Sequence, residues 1–143
     1  MTDDRCPLCR LDEASALWAN EQCLVIPAEV AGLGTICRVI WRGHVREMGD
    51  LSTGERRALM DIVFAVETAV RDCARPAKMN LASLGNLVPH LHWHIIPRYQ
   101  DDAYFPDAIW AAARRPGAHY PLSDERLRAA LRAALGPPGK PRL

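Results

Sequence analysis

The chain has 143 residues, 49% of them apolar and 24% charged, with 18 basic against 17 acidic side chains and a formal charge of +1. That length fits a single domain able to bury roughly 68–70% of its unfolded surface, and so balanced a charge excludes the broad basic field by which proteins hold nucleic acid. The start Met1-Thr2-Asp3-Asp4-Arg5 is polar with no apolar stretch behind it, and no run reaches the about 18 apolar residues that a membrane span needs, so a cytoplasmic protein with no membrane partner is expected.

A leader carries Cys6-Pro7-Leu8-Cys9, whose C-x-x-C spacing lets two thiolates grip one tetrahedral zinc, although a complete site needs two further ligands. Cys23, Cys37 and Cys73 sit in apolar stretches and read as small buried hydrophobes. Five cysteines are an odd number, which argues against a disulfide framework. Ala16-Leu17-Trp18 and Cys23-Leu24-Val25-Ile26, joined by the polar Asn20-Glu21-Gln22, predict a strand hairpin. After the Gly32-Leu33-Gly34 break, Thr35–Trp41 is rich in β-branched and aromatic residues and predicts a third strand.

From Ser52 to Asp72 the spacing predicts a helix. Ser52 and Glu55 form a capping box, and Leu59, Ile62, Val63, Val66 and Val70 make one apolar stripe. Pro76 stops it, Lys78–Leu84 predicts a fourth strand, and Gly85-Asn86 breaks the chain before a histidine-bearing strand that ends at Pro97. Tyr104–Trp110 concentrates aromatics in a loop that can cover a pocket, join a subunit contact or pack in the core; Arg114, Arg115, Arg126, Arg128 and Arg132 read as a solvated basic face, and His119 as exposed. Ser123–Leu135 predicts a last helix, capped by Ser123, with Leu127, Leu131 and Leu135 on its packing face. The fold class is therefore α+β, an antiparallel five-stranded sheet with a long helix packed on it and a short C-terminal helix. The whole chain, 1–143, is one domain, with a core of about 6–110, an extension over 111–135 and a tail over 136–143 expected to be disordered.

In an extended strand His90, His92 and His94 share one face while Leu91, Trp93 and Ile95 share the other. Three chemistries compete for such a row. The histidines can be structural, two neighbours can ligate a metal such as zinc for a metal-dependent hydrolase, or one imidazole can attack phosphorus while its neighbours donate protons.

The run His90-Leu91-His92-Trp93-His94-Ile95-Ile96 resembles the signature of the histidine-triad (HIT) superfamily, and residues 6 to 100 follow that family's order of segments. The resemblance implies a homodimeric enzyme that cleaves the α-phosphate bond of a nucleotide substrate through a covalent phosphohistidine, with no cofactor required for catalysis. It implies His92 as nucleophile, His94 as donor to the phosphate and leaving group, and His90 as the residue whose backbone carbonyl fixes the middle ring. Asn80 and Asn86 become contacts to the phosphate or leaving group, and Leu24, Val25 and Ile26 the wall of the base pocket. Where the family holds the ribose with an acid, this chain has Ala28, with Glu29 beside it.

Some bacterial HIT proteins are similar in a further respect. They complete a cysteine pair near the N-terminus with two histidines, which here match His44 and His90, so that Cys6, Cys9, His44 and His90 form a structural zinc site. The alternative is a reduced thiol pair without metal. A non-catalytic module that binds nucleotide or zinc on the same fold is the rival to the enzyme.

Overall fold

The computed structural model describes residues 2–139. Strands β1 (Trp18–Ala19), β2 (Cys23–Val30), β3 (Gly34–Trp41), β4 (Lys78–Ala82) and β5 (His92–Arg98) form one antiparallel sheet in the order β1-β2-β3-β5-β4. Helices α1 (Thr53–Ala74) and α2 (Asp124–Leu135) pack together on one face of it.

The boundaries differ from the expected ones for identifiable reasons. β2 runs four residues beyond Ile26, through Pro27, because the carbonyl of Val25 accepts from Leu17. Backbone groups of the odd-numbered residues therefore point away from β3, and Pro27 lacks its N–H on the side where β1 has already ended, which a sheet tolerates. β3 opens at Gly34, whose φ of 124° belongs to glycine and whose missing Cβ lets Tyr120 form a parallel bridge. β5 begins at His92, not at His90, and β4 ends at Ala82.

The capping box of Ser52 and Glu55 starts α1, and Arg75 in the left-handed conformation ends it just before Pro76. Its stripe of Leu59, Ile62, Val63, Val66, Ala69 and Val70 is buried against Val25, Cys37, Val39 and Ile95 of the sheet and Leu127 and Leu131 of α2. Each large aliphatic side chain buried there contributes about 1.5–3 kcal/mol. This core fixes one face of β2, β3 and β5 and so decides which side chains face the other way.

The opposite face is covered at its two ends. The leader lays Cys6 and Leu8 over Leu24, Ile26 and Ile40, while at the other end Leu33 and Ile109 pack on Ile36 and Ile96. Gly136 and Gly139 hydrogen-bond to Trp18 and Ala19, so this part of the expected tail lies against β1; residues 140–143, over which disorder was also expected, lie outside the described residues.

Candidate functional site

Between the two covered ends the sheet exposes a cleft of about 380 Å³ lined by Arg38, Leu84, Asn86, Leu87, His92, His94 and Trp110. Register builds its floor. Ile40 lies opposite His92, and Arg38 opposite His94, with Ala82 on the far side of His94. A larger hollow of about 590 Å³ beside the leader, lined by Leu8, Cys9, Leu24 and Arg42, contains neither His92 nor His94.

His92 and His94 are nearly buried, their rings edge to face with centroids 5.0 Å apart. Nδ1 of His92 lies 2.6 Å from the backbone oxygen of His90. A carbonyl can only accept, so Nδ1 carries the proton and the neutral ring keeps its lone pair on Nε2. Ser83 Oγ donates to the backbone oxygen of His92 at 2.6 Å and ties this strand end to the β4 side. Burial, His92 and Arg38 together push the His94 imidazole down to about 4. His94 Nδ1 and Arg38 Nε are both buried without a protein partner, two polar groups beside one cleft.

Asn80 is half-buried on β4, opposite Ile96. Its side-chain oxygen accepts from Arg98 at 2.9 Å, and Arg98, almost wholly buried, forks onto Asp102 at 2.9 and 3.0 Å. The amide of Asn80 is thereby oriented with its NH₂ left to donate. Asn86 is exposed at the lip of the cleft. The three residues expected to wall the base pocket do not line the cleft. Val25 packs in the helix-side core, because a strand alternates its faces, and does not join Leu24 and Ile26. Those two lie on the histidine side but under Cys6 and Leu8, with only 5% and 9% of their surfaces exposed. Glu29 accepts from Thr35 at 2.6 Å and pairs with His119 at 3.4 Å; its side chain alternates with that of Ala28, away from the cleft.

The cysteine pair meets two histidines as expected. Donor atoms of Cys6, Cys9, His44 and His90 all lie within 4.8 Å of one another. His90 Nδ1 is 3.5 Å from Cys6 Sγ and 3.4 Å from Cys9 Sγ; His44 Nδ1 is 3.3 Å from Cys9 Sγ and 3.2 Å from His90 Nδ1. Zinc bonds of about 2.0–2.3 Å in a tetrahedron place donor atoms roughly 3.3–3.8 Å apart, so the four residues fit such an ion. His90 Nε2 donates to the carbonyl of Trp41 at 2.6 Å, which leaves Nδ1 unprotonated toward the cluster, as a metal ligand requires. Cys23 and Cys37, by contrast, are buried as expected, with their thiols pushed up to about 12, whereas Cys73, at the end of α1, is only partly buried.

Two participants escaped the reading of the sequence, Arg38 and the Arg98–Asp102 pair, whereas Trp110 belongs to the aromatic loop for which a pocket cover was one of the expected roles. Arg38 had a signal, a lone charge between apolar residues of a central strand. Trp110, half exposed, meets His94 edge to face at 5.0 Å. Its loop is held by Arg115, which donates to the carbonyls of Asp102 and Phe105, and by the Arg114–Asp107 pair, so these two arginines are engaged in the fold.

A family model described as HIT domain matches residues 12–101. No curated protein matches the chain. Among solved structures it is similar to a histidine triad protein of Bradyrhizobium japonicum, 28% identical over 84% of this chain and 89% of that one, with a TM-score of 0.68. It is also similar to a histidine triad protein of Marinobacter aquaeolei, 27% identical over 88% and 95% of the two chains, with a TM-score of 0.66.

Proposed function

The chain belongs to the HIT domain family, and on that footing we propose that it is a nucleotide phosphohydrolase or nucleotidyl transferase that works through a covalent phosphohistidine on His92. The observation that carries this reading is the bond from His92 Nδ1 to the His90 carbonyl, which aims a free Nε2 lone pair from a ring locked in one tautomer. Nε2 attacks the substrate phosphorus, an N–P bond forms, and the bond from phosphorus to the leaving group breaks. The departing oxygen or nitrogen takes a proton from His94.

His94 is neutral in the empty cleft, and the negative charge of an arriving phosphate favours its protonated form, so the acid is loaded when substrate binds. Arg38, beside His94, neutralises phosphate charge, and the NH₂ groups of Asn80 and Asn86 donate to the phosphate or leaving group. Water or another acceptor then cleaves the N–P bond and restores His92. Dinucleoside polyphosphates and nucleoside phosphoramidates are the substrate types this chemistry serves.

Cys6, Cys9, His44 and His90 would hold a zinc ion that clips the leader to the sheet, apart from the reacting groups. Among the described residues no helix is long and apolar enough to cross a membrane; we propose a cytoplasmic homodimer. A panel of dinucleoside polyphosphates and nucleoside phosphoramidates, assayed with His92→Ala as the blank, tests the enzyme. Turnover abolished in the variant supports it; equal turnover in both, or nucleotide binding with no turnover in either, defeats it.

A further inference from the structure

Resting on the nucleotide reading above, we infer that the aromatic ring of the substrate binds against Trp110, between it and Leu84 and Leu87, and not on the β2 wall, and that the ribose hydroxyls go unread. Among the described residues four large hydrophobic side chains are exposed, Phe64, Leu84, Leu87 and Trp110, and three of them line the His92–His94 cleft. Leu87 is 97% exposed and Trp110 49%. Apolar groups gathered at one rim of a cleft whose floor carries a buried, unpartnered guanidinium nitrogen make a two-part receptor, apolar for a planar ring and cationic for a phosphate.

The wall that β2 offers is closed, because Cys6 and Leu8 already cover Leu24 and Ile26. A ring placed there would have to lift the leader. Trp110 needs no such rearrangement. Its edge contact with His94 and the Arg114 and Arg115 bonds of its loop fix its plane in advance, so that a stacked ring spends little on ordering it. A second hollow of about 370 Å³, lined by Asn80, Ile96 and Ile109, lies against the same indole, and so space exists on more than one side of it. Neither Ala28 nor Glu29 offers a carboxylate to a ribose in the cleft, since Ala28 packs with Ile36 and Ile96 and Glu29 is held by Thr35 and His119.

Calorimetric titration of the full chain with AMP, 2′-deoxy-AMP and ribose 5-phosphate tests the placement. In the wild-type protein AMP should bind at least about tenfold more tightly than ribose 5-phosphate, the size of a stacking contribution, and 2′-deoxy-AMP should lie within about twofold of AMP. Trp110→Ala should bring AMP down to the level of ribose 5-phosphate while leaving the latter unchanged, and Trp110→Phe should restore most of the preference. Leu87→Ser, at a fully exposed position that perturbs no core, should weaken AMP alone by about threefold.

An AMP preference that survives Trp110→Ala, or a much weaker 2′-deoxy-AMP, overturns the placement while the nucleotide reading stands. Loss of a dimer in Trp110→Ala with that preference intact would assign the rim to a subunit contact and overturn it equally. A wild-type protein that binds none of the three probes overturns both.

Discussion

The backbone oxygen of His90 receives the Nδ1 proton of His92 at 2.6 Å, while the ring of the same His90 stands among Cys6, Cys9 and His44. One residue thus serves two sites with two different groups. Its carbonyl orders the nucleophile and its imidazole completes the thiolate cluster, so the alternatives left open for His90 in the sequence are both satisfied by the geometry.

The cluster makes the first prediction. Zinc analysis of the purified protein should find one ion per chain, and Cys6→Ser and Cys9→Ser should each remove it and lower the unfolding temperature by at least about 5 °C, because metal binding is folding free energy. Metal-free wild-type protein that melts with both variants would show that the four residues hold no structural ion.

Arg98 and Asp102 form a buried pair that also orients Asn80. Removing one member leaves an uncompensated charge, so Asp102→Ala should cost about 3–5 kcal/mol in urea unfolding. Asp107→Ala, which breaks an exposed pair, should cost less than about 1 kcal/mol. Similar losses in the two variants would contradict the burial argument.

Much of this arrangement was readable in the sequence, and what was not has physical causes. Ser52 with Glu55, the α1 stripe and the period-two histidines rest on local spacing, which is why the elements and the His92–His94 face were legible. The position of Val25 follows from strand alternation, once β2 is known to have a single helix-covered face. The extent of β2 past Pro27 depends on which neighbour each N–H points to, and the cover over Leu24 and Ile26 on a leader that arrives from elsewhere in the chain; neither is a local property. Trp110 reaches His94 only because the loop after β5 folds back over the sheet.

Burial, His92 and Arg38 hold the His94 imidazole at about 4, which makes stability depend on pH. Its ring titrates below the ordinary value of about 6.5, so the unfolded chain binds the proton first as pH falls. Stability is therefore full above about pH 6.5, is lost between there and about 4, and is flat below for this residue, on the order of 3 kcal/mol in all. Urea unfolding of wild type and His94→Gln at pH 7.5, 5 and 4 should show the wild type losing more than the variant. Parallel losses would place His94 in an ordinary environment.

Arg38 has a buried Nε with no protein partner beside the histidines. A charged hydrogen bond to phosphate is worth about 1.5–3 kcal/mol, so Arg38→Met should weaken inorganic phosphate and AMP alike, by about tenfold or more. Arg38→Lys should recover part of that loss. Unchanged phosphate affinity in Arg38→Met would remove the guanidinium from the site.

Rapid acid-free quenching of the enzyme with adenosine 5′-phosphoramidate or a dinucleoside polyphosphate, followed by mass analysis of peptides, tests the covalent step on His92. A nucleotidyl increment should appear on the tryptic peptide from Met79 to Arg98, be lost in His92→Ala, and accumulate when turnover is slowed. Steady turnover of the same substrate with no increment at any time, or an increment that persists in His92→Ala, would contradict His92 as the nucleophile.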